Sequence, residues 1–212
     1  MDHHKNHYTT AIMLLAAFVI FTLAIMIVDV RPIGPLETHV GFAALNGFIA
    51  RTFPENPLWD NIAKITGILL LLVAVFFAGI GAKQLIDRRD IRSVDHDILT
   101  LGGVYAADLV LYVLFEKLVI NYRPVLEDGE LAASYPSSHT LLAVTVALTA
   151  IIEVQLRVHD KQKQNILRLL LAALMIITIG AKLLAGVHWI TDIIGAIILG
   201  SAIVNAFWDS VE

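Results

Sequence analysis

Long apolar stretches that contain few charges recur along the chain and are separated by short polar segments. They are residues 9–28, 65–82, 98–115, 140–152, 169–180 and 193–207. Most of them extend to about the 20 residues that a helix needs to cross the hydrocarbon core of a bilayer. The pattern therefore predicts an all-α, polytopic bundle of six transmembrane helices.

The fourth and fifth apolar runs are too short to span a bilayer unless they are extended by a polar residue at one end. The fourth reaches spanning length by including His139, and the fifth by including Lys182. Polar residues at the ends of spanning helices lie near the membrane surface. We therefore expect both side chains at a water-facing surface, where a polar site can form.

Composition supports a membrane protein of a single domain, residues 1–212. The chain is 58% hydrophobic and has a mean hydropathy of +0.76, whereas soluble domains are about half apolar. The first run is expected to be a retained anchor, because its apolar core is too long for a signal peptide and no small-residue cleavage pattern follows it. The chain has no cysteine, which excludes disulfides and thiolate metal sites.

The segment between the first two spans, residues 32–60, contains a further helical pattern. Within residues 38–53, Val40, Ala44 and Phe48 recur at helical spacing. We predict an interfacial helix on the outer face that covers the bundle. Gating of the substrate is the alternative role.

Basic residues predict the orientation, because they concentrate in cytoplasmic loops. With both termini on one side, that side carries Lys5, Lys83, Arg88, Arg89, Arg92, Arg157, Lys161, Lys163 and Arg168. The opposite side carries Arg31, Arg51, Lys64, Lys117, Arg123 and Lys182. Both termini are thus expected to be cytoplasmic. The charged segments 87–97 and 157–168 are expected to be solvated cytoplasmic loops.

Two histidines lie at the starts of apolar runs and have polar neighbours. His188 and Asp192 are four residues apart, so on a helix the carboxylate can reach the imidazole and determine which ring nitrogen carries the proton. Such a histidine can act as a nucleophile or a base. His139 follows Ser137 and Ser138, which are natural helix N-caps. The free N–H groups of that helix end could also hold an anion.

Cationic side chains are expected near both histidines. Arg123 precedes Pro124, which should end the third spanning helix and hold the guanidinium at the membrane surface. Lys182 lies six residues before His188. A guanidinium matches phosphate oxygens and an ammonium adds a point charge, although each alone could be a snorkelling anchor.

Together these motifs resemble those of the type 2 phosphatidic acid phosphatase (PAP2) superfamily, membrane lipid phosphatases related to the vanadium haloperoxidases. That family carries Lys-x6-Arg-Pro, then Pro-Ser-Gly-His, then Ser-Arg-x5-His-x3-Asp. Here Arg123-Pro124, Pro136-Ser137-Ser138-His139 and His188-x3-Asp192 occur in the same order. The resemblance extends over the six-span layout and implies a bundle of the PAP2/haloperoxidase-like type.

The resemblance implies a role for each candidate residue. His188 would attack phosphorus to form a phosphohistidine, Asp192 would orient it, and His139 would protonate the leaving oxygen and then assist water. No metal or cofactor would be required. The alternative is a metal site of both histidines and the aspartate, although neighbouring cations would repel a divalent ion. The implied phosphate-binding residues are Arg123, Lys182, Lys117, Ser137 and Ser138.

The chain departs from the family motifs at several positions. Glu116 stands where the family has its first lysine, and Lys117 is one residue closer to the arginine. Ser138 replaces glycine, and Lys182 replaces arginine, which loses the bidentate fork. Glu116 and Asp108 are expected to face the bundle interior and to pair with a cation or a tyrosine.

The sequence thus predicts an outward-facing lipid phosphatase in the plasma membrane, with the bilayer and a membrane lipid as its partners and no nucleic acid. Undecaprenyl diphosphate is the first expected substrate, and phosphatidylglycerophosphate and phosphatidic acid are the alternatives. A non-hydrolytic protein that binds or transports lipid phosphates, and a phosphotransferase, remain open, as does the oligomeric state. Small residues at 195–196 and 200–202 are expected to allow close packing within the bundle.

Overall fold

The structure, a computed structural model, describes residues 7–212, and this part of the chain is largely helical. Its seven α-helices are α1 (His7–Ile27), α2 (Ala43–Thr52), α3 (Pro57–Arg88), α4 (His96–Lys117), α5 (Ser138–Arg157), α6 (Lys161–Leu184) and α7 (Ile190–Val211). All except α2 are long and apolar enough to cross a membrane. The predicted all-α bundle of six spanning helices is confirmed, and the protein is a multi-pass membrane protein.

The two ends of the described chain lie together at one end of the bundle. The ring of His7 stacks on Trp208, with a centroid distance of 4.5 Å, and His7 Nε2 lies 3.5 Å from a carboxylate oxygen of Glu212. Lys5, which contributed to the predicted orientation, lies outside the described residues. The α4–α5 and α6–α7 connections therefore lie at the opposite end.

The helix predicted between the first two spans is present as α2, but it begins later than the pattern indicated. Residues before it form a short antiparallel hairpin of β1 (Arg31–Pro32) and β2 (His39–Val40). Val40, the first member of the helical pattern, is therefore a buried strand residue. The Asn46 side chain of α2 donates to Thr191 Oγ1 at 3.0 Å, so α2 covers the start of α7.

Helix α4 ends at Lys117, and the prediction that it continues to Pro124 was wrong. Arg123 lies instead in the long α4–α5 loop, where its backbone N–H donates to Ala132 O at 3.0 Å. Tyr122 and Ala133 form an isolated antiparallel bridge beside it. A residue before proline favours extended backbone, and these hydrogen bonds across the loop stabilise that conformation.

Helix α5 is the most buried of the spanning helices. Of the 18 residues that form its most apolar stretch, 67% are buried, against 17% for the corresponding stretches of α1 and α6. Its interior threonines form hydrogen bonds within the helix: Thr145 Oγ1 donates to Leu141 O at 2.9 Å, and Thr149 Oγ1 to Thr145 O at 2.7 Å. These bonds satisfy hydroxyl groups that the bilayer core could not solvate.

Small residues bring α5 and α7 close together, as predicted. A Cβ atom at Gly200 would lie 2.8 Å from Val144 Cγ1 of α5, and one at Gly195 would overlap the ring of Tyr135. A larger side chain at Gly200 would separate α7 from α5, and one at Gly195 would displace Tyr135 of the α4–α5 loop. The small-residue run is therefore used for packing within the bundle.

The charged segments at the end of the bundle opposite the histidines are not simple solvated loops, so that expectation was wrong. Arg157 contacts Glu153 (Nε to Oε2, 2.7 Å), Asp97 (Nη2 to Oδ2, 2.5 Å) and Asp95 (Nη1 to Oδ2, 3.3 Å). Arg88 adds a bond to Asp95 at 2.8 Å. Helix α6 begins at Lys161, so most of residues 157–168 are helical. One guanidinium thus links α5 to α4 and to the loop before it.

Replacement of Arg157 by Ala is expected to destabilise the bundle by on the order of 3 kcal/mol, because the buried Glu153 carboxylate loses its cation. Thermal unfolding in detergent would measure the loss. Lys163→Ala is the matched control, since Lys163 is 76% exposed. Equal unfolding midpoints for the two variants would contradict a structural role for the Arg157 cluster.

Candidate active site

His188 lies in the short connection between α6 and α7 and is 5% exposed. Gly186 forms the turn before it with a φ of +66°, and a Cβ atom there would lie 2.6 Å from Phe53 O. The N–H of Asn56 donates to Ala185 O at 2.9 Å. The connection is thereby held against the segment between α2 and α3, which positions the imidazole.

The predicted proximity of His188 and Asp192 is present, and a serine lies between them. His188 Nδ1 is 3.5 Å from Asp192 Oδ2 and 3.2 Å from Ser134 Oγ. The Ser134 hydroxyl in turn donates to Asp192 Oδ2, which also accepts the N–H of Trp189 at 2.8 Å. Since the carboxylate holds the serine proton, the hydroxyl oxygen is free to accept from Nδ1–H. The sequence analysis missed Ser134.

The other nitrogen of the His188 ring, Nε2, is buried and has no hydrogen-bond partner among residues 7–212. His188 lines a small pocket whose wall includes Arg123, Ser138 and Glu116. Burial lowers the pKa of His188 below its ordinary value, and the charges of Arg123 and Lys182 act in the same direction, opposed by Asp192. A neutral ring protonated at Nδ1 leaves a lone pair on Nε2.

His139 lies in the first turn of α5 and lines a second, larger cavity of about 780 Å³. Its ring packs against α3, because a Cβ atom at Gly67 would lie 3.3 Å from His139 Cδ2. Arg123, Ser138 and Glu116 line both cavities. The two histidines thus lie on two cavities that share part of their walls.

Ser137 is the N-cap of α5, one of the two serines expected to cap this helix. Its hydroxyl accepts from Thr140 N at 3.5 Å and Thr140 Oγ1 at 3.1 Å. Its backbone N–H donates to Asp192 O at 3.1 Å. The Ser137 amide is therefore already bonded, and the N–H groups of Ser138 and His139 are the ones that a helix start leaves for an anion.

Two of the predicted cations are paired with carboxylates, and of these two Arg123 lines both cavities whereas Lys182 lines neither. Arg123 Nη1 lies 3.3 Å from Glu127 Oε2. Lys182 is 2% exposed, and its Nζ donates to Asp60 Oδ1 at 2.8 Å. Lys64 binds the other oxygen of Asp60 at 2.7 Å. Sequence reasoning missed Asp60, which is 122 positions from its partner.

Lys117 is not brought to the site with the other predicted residues. It is exposed at the end of α4, and within residues 7–212 it lines neither of the two cavities, whereas Glu116 lines both. Successive residues on a helix differ by about 100°, so only one of the two can face the cavity. Glu116 is exposed on the cavity wall, not in the bundle interior as expected.

Asp108 is buried as expected, but its partner is neither a cation nor a tyrosine. The hydroxyl of Thr145 donates to Asp108 Oδ2 in a bifurcated hydrogen bond that Leu141 O also accepts. For the alternative of a metal site, no three His, Asp or Glu side chains in the described part of the chain form a group that could hold an ion.

Comparisons with known proteins identify the family. Residues 99–212, more than half of the chain, match the sequence model of the PAP2 superfamily. No curated protein matches the chain. Among solved structures, the fold is similar to that of the first transmembrane PAP2 type phosphatidylglycerolphosphate phosphatase from Bacillus subtilis, with a TM-score of 0.65 and 18% sequence identity over 95% of this chain and 97% of that chain. The chain therefore belongs to the PAP2 superfamily, and its six-span bundle has the fold of a membrane phosphatase of that family.

Proposed function

We propose that this protein removes the terminal phosphate from a membrane lipid through a phosphohistidine intermediate at the outer membrane face. The observation that carries the proposal is the state of His188. Its Nδ1 is held by Ser134 beside Asp192, and its Nε2 has no bond within residues 7–212. The ring lines a pocket with Arg123. An oriented imidazole with a free lone pair next to a guanidinium suits nucleophilic attack on a phosphoryl group.

In the first step, the Nε2 lone pair of His188 attacks phosphorus, and the bond from phosphorus to the lipid oxygen breaks. The electron pair of that bond stays on the lipid oxygen, which takes a proton from His139. The Nδ1 proton of His188 remains directed at Ser134, and the nearby Asp192 carboxylate stabilises the positive charge that develops on the ring.

In the second step, water attacks the phosphohistidine. His139, now neutral, accepts a proton from the water as its oxygen bonds to phosphorus. The bond from phosphorus to Nε2 breaks, inorganic phosphate leaves, and both histidines return to their starting states. No electrons are gained or lost, so the cycle needs no redox partner.

Arg123, Lys182 and the first-turn N–H groups of α5 would bind the phosphoryl oxygens. Both cations are paired with carboxylates in the structure. A phosphate that enters the pocket would compete with these carboxylates for the cations. Charge-assisted bonds to the transition state would then lower the barrier, since its charge is spread over the equatorial oxygens.

The lipid body would occupy the larger cavity beside His139. Apolar side chains from α3, α4 and α5 line it, including Leu71, Leu109 and Leu142. Undecaprenyl diphosphate, phosphatidylglycerophosphate and phosphatidic acid all present a terminal phosphate to such a site. The activity named for the Bacillus subtilis protein supports including phosphatidylglycerophosphate.

Replacement of His188 by Ala is expected to reduce phosphate release by roughly 10³-fold or more, because the nucleophile is lost. Purified protein in detergent with excess chelator would be assayed on the three lipids, and wild-type release is expected to survive chelation. His159→Ala, an exposed histidine at the other end of the bundle, is the control.

Three other results would each support a different interpretation of the site. Release that the chelator abolishes would favour a metal site. Unchanged function in His188→Ala would favour lipid-phosphate binding or transport. Transfer of phosphate to an added lipid alcohol, instead of its release, would identify a phosphotransferase.

Replacement of Ser134 by Ala is expected to lower kcat by roughly 10 to 100-fold with little change in KM, because the His188 ring loses the bond that orients it. A stopped assay on the best lipid would measure both constants. The nitrogen NMR signals of His188 provide a readout beyond folding, since the proton would no longer be confined to Nδ1. An unchanged kcat and an unchanged His188 spectrum would refute this positioning role.

The outward orientation of the site is expected to be visible by thiol labelling in intact cells. The chain has no cysteine, so single cysteines report without background. Glu130→Cys, in the exposed α4–α5 loop, should react with an impermeant reagent, and Lys163→Cys, at the other end, should react only after lysis. The reverse pattern would place the site in the cytoplasm and overturn the charge-based orientation.

A further inference from the structure

Glu116 lies on the wall that the His188 pocket and the His139 cavity share. It lines both the small pocket with His188 and the larger cavity with His139. In the proposed mechanism, which this inference rests on, phosphorus lies next to His188 and the leaving oxygen next to His139. The atoms attached to the leaving oxygen must therefore pass through the cavity whose wall includes Glu116.

The larger cavity has mostly apolar walls, and the ionisable side chains among its lining residues are mainly acidic. Three carboxylates line it, those of Asp108, Glu116 and Glu127, whereas Arg123 is its one Lys or Arg side chain within residues 7–212. Arg123 is already paired with Glu127. Excess negative charge on this wall disfavours a second phosphate next to the cleaved one.

The positive charges of Lys182 and Lys64 offset this acidity only in part. Lys182 and Lys64 share a single carboxylate, that of Asp60, and are bound to its two oxygens at 2.8 Å and 2.7 Å. They line neither cavity and contribute one net positive charge with Asp60. A terminal phosphate would therefore be bound by Arg123 and this group. Apart from protonated His139, which gives its proton to the leaving oxygen, a second phosphate finds no further cation in the described part of the cavity.

Asp108 provides an independent indication of what the cavity accepts. Its side chain is 8% exposed, and its Oδ1 has no hydrogen-bond partner among residues 7–212. It lies two helical turns from Glu116 on α4, about 12 Å along the axis. A buried, unpartnered acceptor is stabilised by a hydrogen-bond donor and not by an anion. Hydroxyl or ammonium groups are such donors.

We propose that Glu116 is a specificity-determining residue that selects lipids with a single phosphate, whose leaving group is an alcohol, against lipids with a second phosphate next to the cleaved one. A diphosphate leaves as a phosphate anion, and its developing charge lies next to the Glu116 carboxylate. An alcohol leaves without charge once His139 has protonated it. The charge of Glu116 thus raises the barrier for lipids that release a phosphate anion and not for lipids that release an alcohol.

The test compares kcat/KM for lysophosphatidic acid, which has one phosphate and a neighbouring hydroxyl, with that for undecaprenyl diphosphate. Wild-type protein is expected to prefer lysophosphatidic acid. Glu116→Lys should shift the ratio toward the diphosphate by roughly tenfold or more, because the like charge is replaced by an attractive one. Glu116→Gln, which removes the charge alone, should give a smaller shift in the same direction.

Glu130→Lys is the matched control, since it makes the same change of charge at an exposed position in the α4–α5 loop. Glu130 lines neither cavity. It should leave the ratio unchanged. If Glu116→Lys fails to fold, the near-isosteric Glu116→Gln decides the question alone.

Failure of the inference and failure of the proposed function would give different results. Phosphate release that depends on His188, with a substrate ratio that Glu116 variants do not change, would overturn the inference and leave the proposed function intact. A wild-type preference for the diphosphate would also overturn the inference. No His188-dependent release from either lipid would overturn the proposed function, and the inference would fall with it.

Discussion

The buried carboxylate of Asp192 is the interaction on which the arrangement of the site depends. Its Oδ2 accepts the Ser134 hydroxyl and the Trp189 N–H, and the backbone carbonyl of Asp192 accepts the Ser137 N–H. These bonds join the start of α7 to the α4–α5 loop and to the start of α5. Within the bilayer, polar groups must find partners inside the protein. One carboxylate therefore both anchors two connections and orients His188 between them.

The cations near His188 form ion pairs with acidic side chains. Arg123 is bound to Glu127, and Lys182 shares Asp60 with Lys64. Such pairs keep charged side chains ordered at the membrane edge, where isolated charges would be costly. In the proposed function, phosphate would bind by an exchange of partners, so the strength of binding would be a difference between two sets of ionic contacts. Acidic residues at the site thereby influence which anions can displace them.

Prediction from the sequence succeeded where local pattern suffices. The six spans follow from the lengths of the apolar runs, and the proximity of His188 and Asp192 follows from a four-residue spacing on a helical start. It failed at Arg123, because α4 ends at Lys117 and Arg123 lies in the following loop, where its N–H donates to Ala132 O. It also missed Ser134 and Asp60, whose partners lie 54 and 122 positions away. No periodicity connects residues at such distances.

The sequence by itself determined the number of spans and the end of the bundle at which the polar motifs, with both histidines and Arg123, gather, because hydrophobic length and helical spacing are local properties. Only the tertiary structure decided that Glu116 and not Lys117 lines the cavities, that Lys182 is held by Asp60, and that Ser134 stands between His188 and Asp192. The reason is geometric. The rotation of a helix about its axis and the path of a loop are set by packing against distant segments, and no local pattern records them.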